Sequence, residues 1–296
     1  MKPAPFEYFR PRTLDEALSL LAEHGSDAKP LAGGQSLIPA MNFRLATPSV
    51  LVDLNRLTEL SYVQDGKGEL RIGGMTRQRA VERSPLVGQR FPLIAETMPH
   101  IAHPAIRNRG TIGGSLAHAD PAAELPAVMV ALNATFAAAG KAGTRAIRAD
   151  EFYTGLFSTA LEPGELLTEI RIPPAPKRSG FAFHEISRRH GDFALVGVAV
   201  AVRLDAAGRC DDARIALLSA GDRPMLAEQA GRLLVGQMPS ARSIRAAAET
   251  TAAHDIDPPS DIHASAKYRR QLANVLTRRA LENAFERAVP PLHVPH

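Results

Sequence analysis

One cysteine, no tryptophan and an aromatic content of 5% restrict what this 296-residue chain can do. Cys210 alone cannot form a disulfide within the chain, which fits a reducing compartment. One thiolate also cannot hold an iron–sulfur cluster or a cysteine-based zinc site. Any metal used for electron transfer would therefore sit on another chain. The net charge is only +4 and the basic residues are scattered. A nucleic-acid surface would need a dense basic face with stacking rings, so no nucleic-acid partner is expected. Runs such as Arg188-Arg189-His190 and Arg269-Arg270 read as solvated faces or partner contacts. No apolar run is long enough to span a bilayer, and Met1-Lys2-Pro3-Ala4-Pro5-Phe6-Glu7 carries no signal segment. The chain reads as soluble and cytoplasmic.

What the chain does have is glycine in pairs. Ala32-Gly33-Gly34-Gln35-Ser36 and Thr111-Ile112-Gly113-Gly114-Ser115 each follow a short stretch with apolar residues. Glycine accepts positive φ without steric cost, so successive N–H groups can turn toward one point. Such a concave cluster holds phosphate oxygens. Two loops suit a ligand with two phosphates, which points to a dinucleotide. Neither loop fits G-x-G-x-x-G or the Walker pattern, which disfavours a Rossmann site and a P-loop NTPase. A third pair, Gly73-Gly74, reads as a strand end and turn.

The length allows two domains or one domain with subdivisions, and hydrophobic residues make up 45%, ordinary for a globular protein with a real core. Thr13 and Glu16 form a capping box ahead of a stripe of Leu14, Ala17, Leu18 and Leu21, and His24-Gly25 ends this first helix. Strands are expected at 29–32 and 49–54, with the first glycine loop at a strand end. Thr76 is a candidate cap for a helix at 78–84. Further helices are expected at 92–99 and 121–133, strands at 135–139 and 165–172, and a short helix or turn at 152–157. The Pro-rich segment 173–180 reads as a linker. Beyond it, strands at 181–187, 194–204 and 213–220 form a three-stranded meander. Helices at 225–234, 240–251 and 265–287 back it, and the tail after Ala288 reads as loose.

His118, Asp120 and Glu124 follow the second loop and admit three readings. They could ligate a metal, although the spacing has no defined signature. Asp120 before Pro121 could cap the following helix. The side chains could also bond nucleotide or ribityl hydroxyls. No nucleophile or general base suggests itself, and His103, His190 and His254 read as surface residues. A protein that binds a redox cofactor needs neither, because the cofactor carries the chemistry.

The pattern resembles the flavoprotein (medium) subunit of the molybdenum hydroxylases, over nearly the whole chain. The resemblance rests on Pro5-Phe6-Glu7-Tyr8, residues 31–39 around the first loop, Leu51-Val52-Asp53-Leu54-Asn55, residues 107–115 and Asp120-Pro121-Ala122-Ala123-Glu124. Gly155-Leu156-Phe157 and Glu165-Leu166-Leu167-Thr168-Glu169 also match. It implies an α+β fold: a two-part vanillyl-alcohol-oxidase-type (PCMH-type) FAD-binding domain over 1–177, with subdomains of about 1–55 and 56–177. A smaller α/β domain with a three-stranded antiparallel sheet and helices would cover 178–296.

By resemblance, Ala32, Gly33, Gly34, Gln35 and Ser36 hold the FAD pyrophosphate through backbone N–H groups, as do Thr111, Ile112, Gly113, Gly114 and Ser115. Asp120 and Glu124 bond ribityl or ribose hydroxyls. Ile101 and Leu161 lie beside the flavin. Phe193 stands where relatives often have tyrosine against the ring. Some relatives also place a lysine in the strand at 181–187; this strand has none, although Arg188 follows. The resemblance further implies non-covalent FAD, no metal on this chain, and partner subunits: a large one with Mo-pterin and a small one with [2Fe–2S] clusters. The assembly would be a dimer of heterotrimers. It would take electrons from an N-heterocycle, an aldehyde or carbon monoxide and pass them to an external acceptor. The alternatives are a stand-alone FAD oxidoreductase of the same fold and a non-enzymatic nucleotide-binding scaffold.

Overall fold

In the computed structural model, residues 2–289 are described, and the tail expected to be loose lies largely outside them. The chain forms two compact units that interleave along the sequence. One comprises Met1–Gly88, Ala102–Ala119 and Ala134–Pro173; the other comprises Gln89–Ile101, Asp120–Asn133 and Pro174–His296. The division is thus not one cut in the linker. Two short segments of the first half fold with the C-terminal part.

The first unit opens on a strand, Glu7–Phe9, rather than on the helix. It pairs in parallel with Val50–Asp53, which pairs in parallel with Ala28–Leu31 on its other side. All four residues of Val50–Asp53 are buried: the apolar Val50, Leu51 and Val52, as a central parallel strand should be, and Asp53, whose carboxylate accepts from Tyr8 and Asn55. The helix Leu14–His24 buries Ala17, Leu18 and Leu21. Thr13 Oγ1 accepts from Glu16 N–H at 3.2 Å, but Glu16 reaches back to Arg12 N–H at 2.8 Å rather than to Thr13. The strand Ala28–Leu31 then feeds the first glycine loop, and the helix Leu37–Asn42 follows it.

A five-stranded antiparallel sheet completes this unit, in the order Val63–Gly66, Glu69–Gly73, Leu166–Ile172, Thr135–Gly140, Gly143–Arg148. A bulge in Leu166–Ile172 lies between Leu167 and Glu169, and the Thr168 carbonyl there accepts from Gly74 N–H at 2.7 Å. Thr76 does not cap a helix. Its hydroxyl exchanges hydrogen bonds with the Tyr62 backbone, and the helix Gln78–Glu82 starts after Arg77. Residues 153–159 form a hairpin, Tyr153–Gly155 with Ser158–Thr159, after the helical turn Ala149–Phe152.

The second unit is built on an antiparallel sheet of four strands: Ser179–Ser187, Ala194–Leu204, Cys210–Leu218 and the short Met225–Leu226. The last strand occupies the expected start of a helix, which begins only at Glu228. The helix Ala266–Ala288 lies across the first two strands and buries Leu272, Ala273, Leu276, Ala280, Leu281 and Ala284. The contact is close: a Cβ on Gly180 would lie 1.8 Å from the Ala284 carbonyl oxygen. The helix Glu124–Ala131 is buried along its whole length and packs on Cys210–Leu218. It begins three residues later than the sequence suggested. Asp120 accepts from Ala122 N–H at 2.9 Å in the turn before it, and Ala123 holds the cap position. Arg269 is buried and bonded to Asp261 at 2.6 Å, so it is not the solvated residue expected from its run.

Candidate functional site

The two glycine loops meet within the first unit. A Cβ built on Gly33 would lie 2.5 Å from the Arg109 carbonyl oxygen and 2.8 Å from Gly110 Cα. A Cβ on Gly114 would lie 3.3 Å from Ala32 Cβ. Gly33 therefore lies bare against the backbone that leads into the second loop, and Gly114 leaves room for the Ala32 methyl. Beneath the second loop, Gly113 N–H donates to the Gly74 carbonyl at 2.9 Å, and a Cβ on Gly113 would lie 2.6 Å from that oxygen. The pair Gly73-Gly74 is a strand end, and it is also the surface on which the second loop rests.

The loops differ in what their N–H groups do. Among the described residues, the N–H groups of Gly33, Gly34, Gln35 and Ser36 donate to no protein acceptor. Gly34 sits at φ +73°, in the left-handed region that glycine reaches freely. A row of open donors around such a residue is the arrangement an anion needs. In the second loop the donors are engaged. Ile112 N–H bonds Thr76 O at 2.9 Å, Gly114 N–H bonds Thr111 Oγ1 at 3.1 Å, and Ser115 N–H bonds Thr111 O at 3.1 Å. With Gly113, this means that four of the N–H groups expected to hold pyrophosphate have partners. Thr111 caps the helix Ile112–His118, and its glycines serve close packing. The Ser36 and Ser115 hydroxyls have no hydrogen-bond partner among the described residues.

Leu161 also lies in the first unit, where its N–H donates to Thr159 Oγ1 at 3.4 Å. The His118 ring lies 5.2 Å from that of Phe157, tilted by 38°, and Phe157 is a residue of the hairpin turn at φ +51°.

The second unit holds Ile101, Asp120, Glu124 and Phe193. Ile101 is buried at the end of the turn Met98–His100. Phe193 is 66% exposed, and its N–H donates to Asp192 Oδ1 at 3.0 Å. Arg188 holds the other oxygen of Asp192 at 2.8 Å. Glu124 is only 8% exposed, and burial pushes its carboxyl up to about 7. The charges of Glu185 and Asp120 push the same way, and His100 opposes them.

Sequence reasoning did not single out His100 and Glu185. His100 Nδ1 lies 3.2 Å from Glu185 Oε1, and this hydrogen bond holds the imidazole above its ordinary pKa against the effect of burial. The second oxygen of Glu185 is buried without a partner among the described residues. Glu185 lies in the strand where some relatives place a lysine and this chain has none.

Cys210 is buried, and desolvation raises its thiol to about 11, so it is not a reactive thiolate. Among the described residues no group of three or more His, Cys, Asp or Glu is placed to hold a metal ion. No helix there is long and apolar enough to cross a membrane.

Residues 4–175 match the family model described as FAD binding domain in molybdopterin dehydrogenase, and residues 181–284 match CO dehydrogenase flavoprotein C-terminal domain. The chain is 44% identical over 290 residues to the 6-hydroxypseudooxynicotine dehydrogenase complex subunit alpha of Paenarthrobacter nicotinovorans, covering 98% of both chains. It is 42% identical to the carbon monoxide dehydrogenase medium chain of Afipia carboxidovorans, covering 97% of this chain and 99% of that one. Among solved structures, a chain of carbon monoxide dehydrogenase from Hydrogenophaga pseudoflava superposes with a TM-score of 0.94 at 39% identity, covering 98% of this chain and 100% of that one. The open donors of residues 33–36 fit the diphosphate of the cofactor this family takes. The chain belongs to the FAD-binding medium subunits of the molybdenum hydroxylases.

Proposed function

We propose that this chain is the electron-transfer subunit of a molybdenum-containing hydroxylase and holds FAD without a covalent link. The observation that carries this reading is the row of unengaged N–H groups at 33–36, set against a second loop whose own donors are satisfied. In this account Ala32 leads into the cradle, and Gly33, Gly34, Gln35 and Ser36 hold the diphosphate. Thr111, Ile112, Gly113 and Gly114 form its support, and Ser115 offers a hydroxyl.

Asp120 and Glu124 bond hydroxyls of the ribityl or ribose groups. A carboxyl that titrates near 7 can donate as well as accept at neutral pH, which suits such a partner. Ile101, Leu161 and Phe193 give the flavin ring apolar neighbours. FAD held by these residues would supply the redox chemistry by which electrons pass from the [2Fe–2S] clusters of a small partner subunit to an external acceptor. A large molybdopterin subunit carries the substrate chemistry, on an N-heterocycle, an aldehyde or carbon monoxide. Three such subunits, paired as a dimer of heterotrimers, work in the cytoplasm, in keeping with a single buried thiol.

The experiment is purification of the native complex, with its absorption spectrum and its flavin, molybdenum and iron content. Flavin together with both metals, and flavin lost when this chain alone is removed, is the expected result. Flavin as the sole redox centre of a complete preparation that still turns over would favour a stand-alone oxidoreductase. A preparation without flavin would favour a scaffold.

A further inference from the structure

Arg77 belongs to neither glycine loop, yet its guanidinium is joined to both. One terminal nitrogen donates to the Arg109 carbonyl, just before the second loop. The other donates to Asn55 Oδ1 at 2.6 Å. Asn55 Nδ2 in turn donates to the Ala32 carbonyl at 3.0 Å, at the start of the first loop. Asn55 is itself anchored, because Asp53 Oδ1 accepts from its N–H at 2.9 Å. Asp53 also takes the Tyr8 hydroxyl and lies 3.5 Å from Arg10. The Arg109 carbonyl fixed by Arg77 is the same oxygen that abuts Gly33.

The first loop is therefore gripped at two points: at Ala32 through Asn55, and at Gly33 by the carbonyl that Arg77 holds. The geometry points to Arg77 and Asn55 as positioning residues that set the spacing of the two loops and so the affinity for the FAD diphosphate. This rests on the reading that residues 33–36 hold that diphosphate. The residue type matters. A planar guanidinium can reach two acceptors from two nitrogens in a fixed fork, whereas a lysine keeps the charge but concentrates it at one point.

The test is titration of FAD into the flavin-stripped full chain, with the melting temperature of the stripped chain measured alongside. Arg77→Lys and Asn55→Ala are each expected to weaken FAD binding about ten- to a hundredfold, the scale of one or two charge-assisted hydrogen bonds. The stripped chain should melt as the wild type does. The double variant should bind little more weakly than the worse single variant, because both residues act through one connected network.

Wild-type affinity in Arg77→Lys, or fully additive losses in the double variant, would overturn the proposal. So would losses of affinity matched in both single variants by a lower melting temperature of the stripped chain. Gly33→Val separates the two levels of the argument. If it retains wild-type FAD affinity, the reading of the loop itself fails. If it abolishes binding while Arg77→Lys does not weaken it, only the positioning role fails.

Discussion

Gly33 and the Arg109 carbonyl are in direct backbone contact, with 2.5 Å between that oxygen and the place a Cβ on Gly33 would take. Both sides are main chain, so a clash cannot be relieved by turning a side chain. The two glycine loops are therefore one structure, and their glycines have different reasons to be glycine. Gly34 needs its positive φ, whereas Gly33 and Gly113 need the missing side chain.

Gly33→Ala is expected to lower FAD occupancy of the purified chain sharply and to destabilise it by about 1–3 kcal/mol, the usual cost of overpacking. Gly88 is the control. It lies exposed in the helix Pro85–Arg90 with nothing within 4 Å of its Cβ position. Gly88→Ala should leave FAD content unchanged and add about 0.5–1 kcal/mol of stability. Flavin absorbance and denaturant melts check both; equal behaviour of the two variants would refute the distinction.

Gly180→Ala tests the second unit. Its Cβ would fall 1.8 Å from the Ala284 oxygen and 2.7 Å from the Ala288 nitrogen. The helix Ala266–Ala288 would have to lift from the sheet, at a cost of about 1–3 kcal/mol or more. A thermal melt indistinguishable from wild type would show that the helix does not need this approach.

Glu124 makes stability depend on pH. Burial raises its folded pKa to about 7 from an ordinary 4.5, so the folded chain keeps a proton that the unfolded chain has released. Stability should fall as pH rises from about 4.5 to about 7 and stay low above that. Glu124→Gln removes the buried charge. It should stabilise the flavin-free chain at pH 8 by up to about 3 kcal/mol and leave it unchanged near pH 4. Urea melts at the two pH values read this directly, and a gain that is equal at both would contradict it.

His100 adds a dependence of the same sign, in a higher pH window. Its pKa is raised chiefly by the hydrogen bond to Glu185, so its contribution is fully present below 6.5 and is lost as pH rises through the raised value. Glu185→Gln should bring the His100 titration, followed by NMR of the imidazole, down toward 6.5 or below. An unmoved titration would show that the pair does not interact in solution.

Much of this was legible because its causes are local. Thr13 and Glu16 announce the helix Leu14–His24, and the unbroken apolar residues around Val50 announce a central strand. The first loop was legible for the same reason, since open N–H groups around a left-handed glycine are a property of a few consecutive residues. The second loop was singled out as well, but the packing role of its glycines was not legible, because they answer to Gly74 and Ala32, far away in the chain. The link through Arg77 and Asn55 was hidden: Asn55 ends the motif Leu51–Asn55, but its bond to Arg77 and that of Arg77 to Arg109 cross 22 and 32 residues, and no local pattern announces either. The strand Glu7–Phe9 is too short to show a period and exists only through its partner Val50–Asp53.

Amide hydrogen exchange, resolved residue by residue with and without FAD, reads the state of each donor in the two loops. The amides of Gly33, Gly34, Gln35 and Ser36 should exchange fast in the stripped chain and slow markedly when FAD binds. Those of Ile112, Gly113, Gly114 and Ser115 should be slow in both states, because their acceptors are within the protein. Unchanged exchange at 33–36 in the FAD-saturated chain would contradict the account.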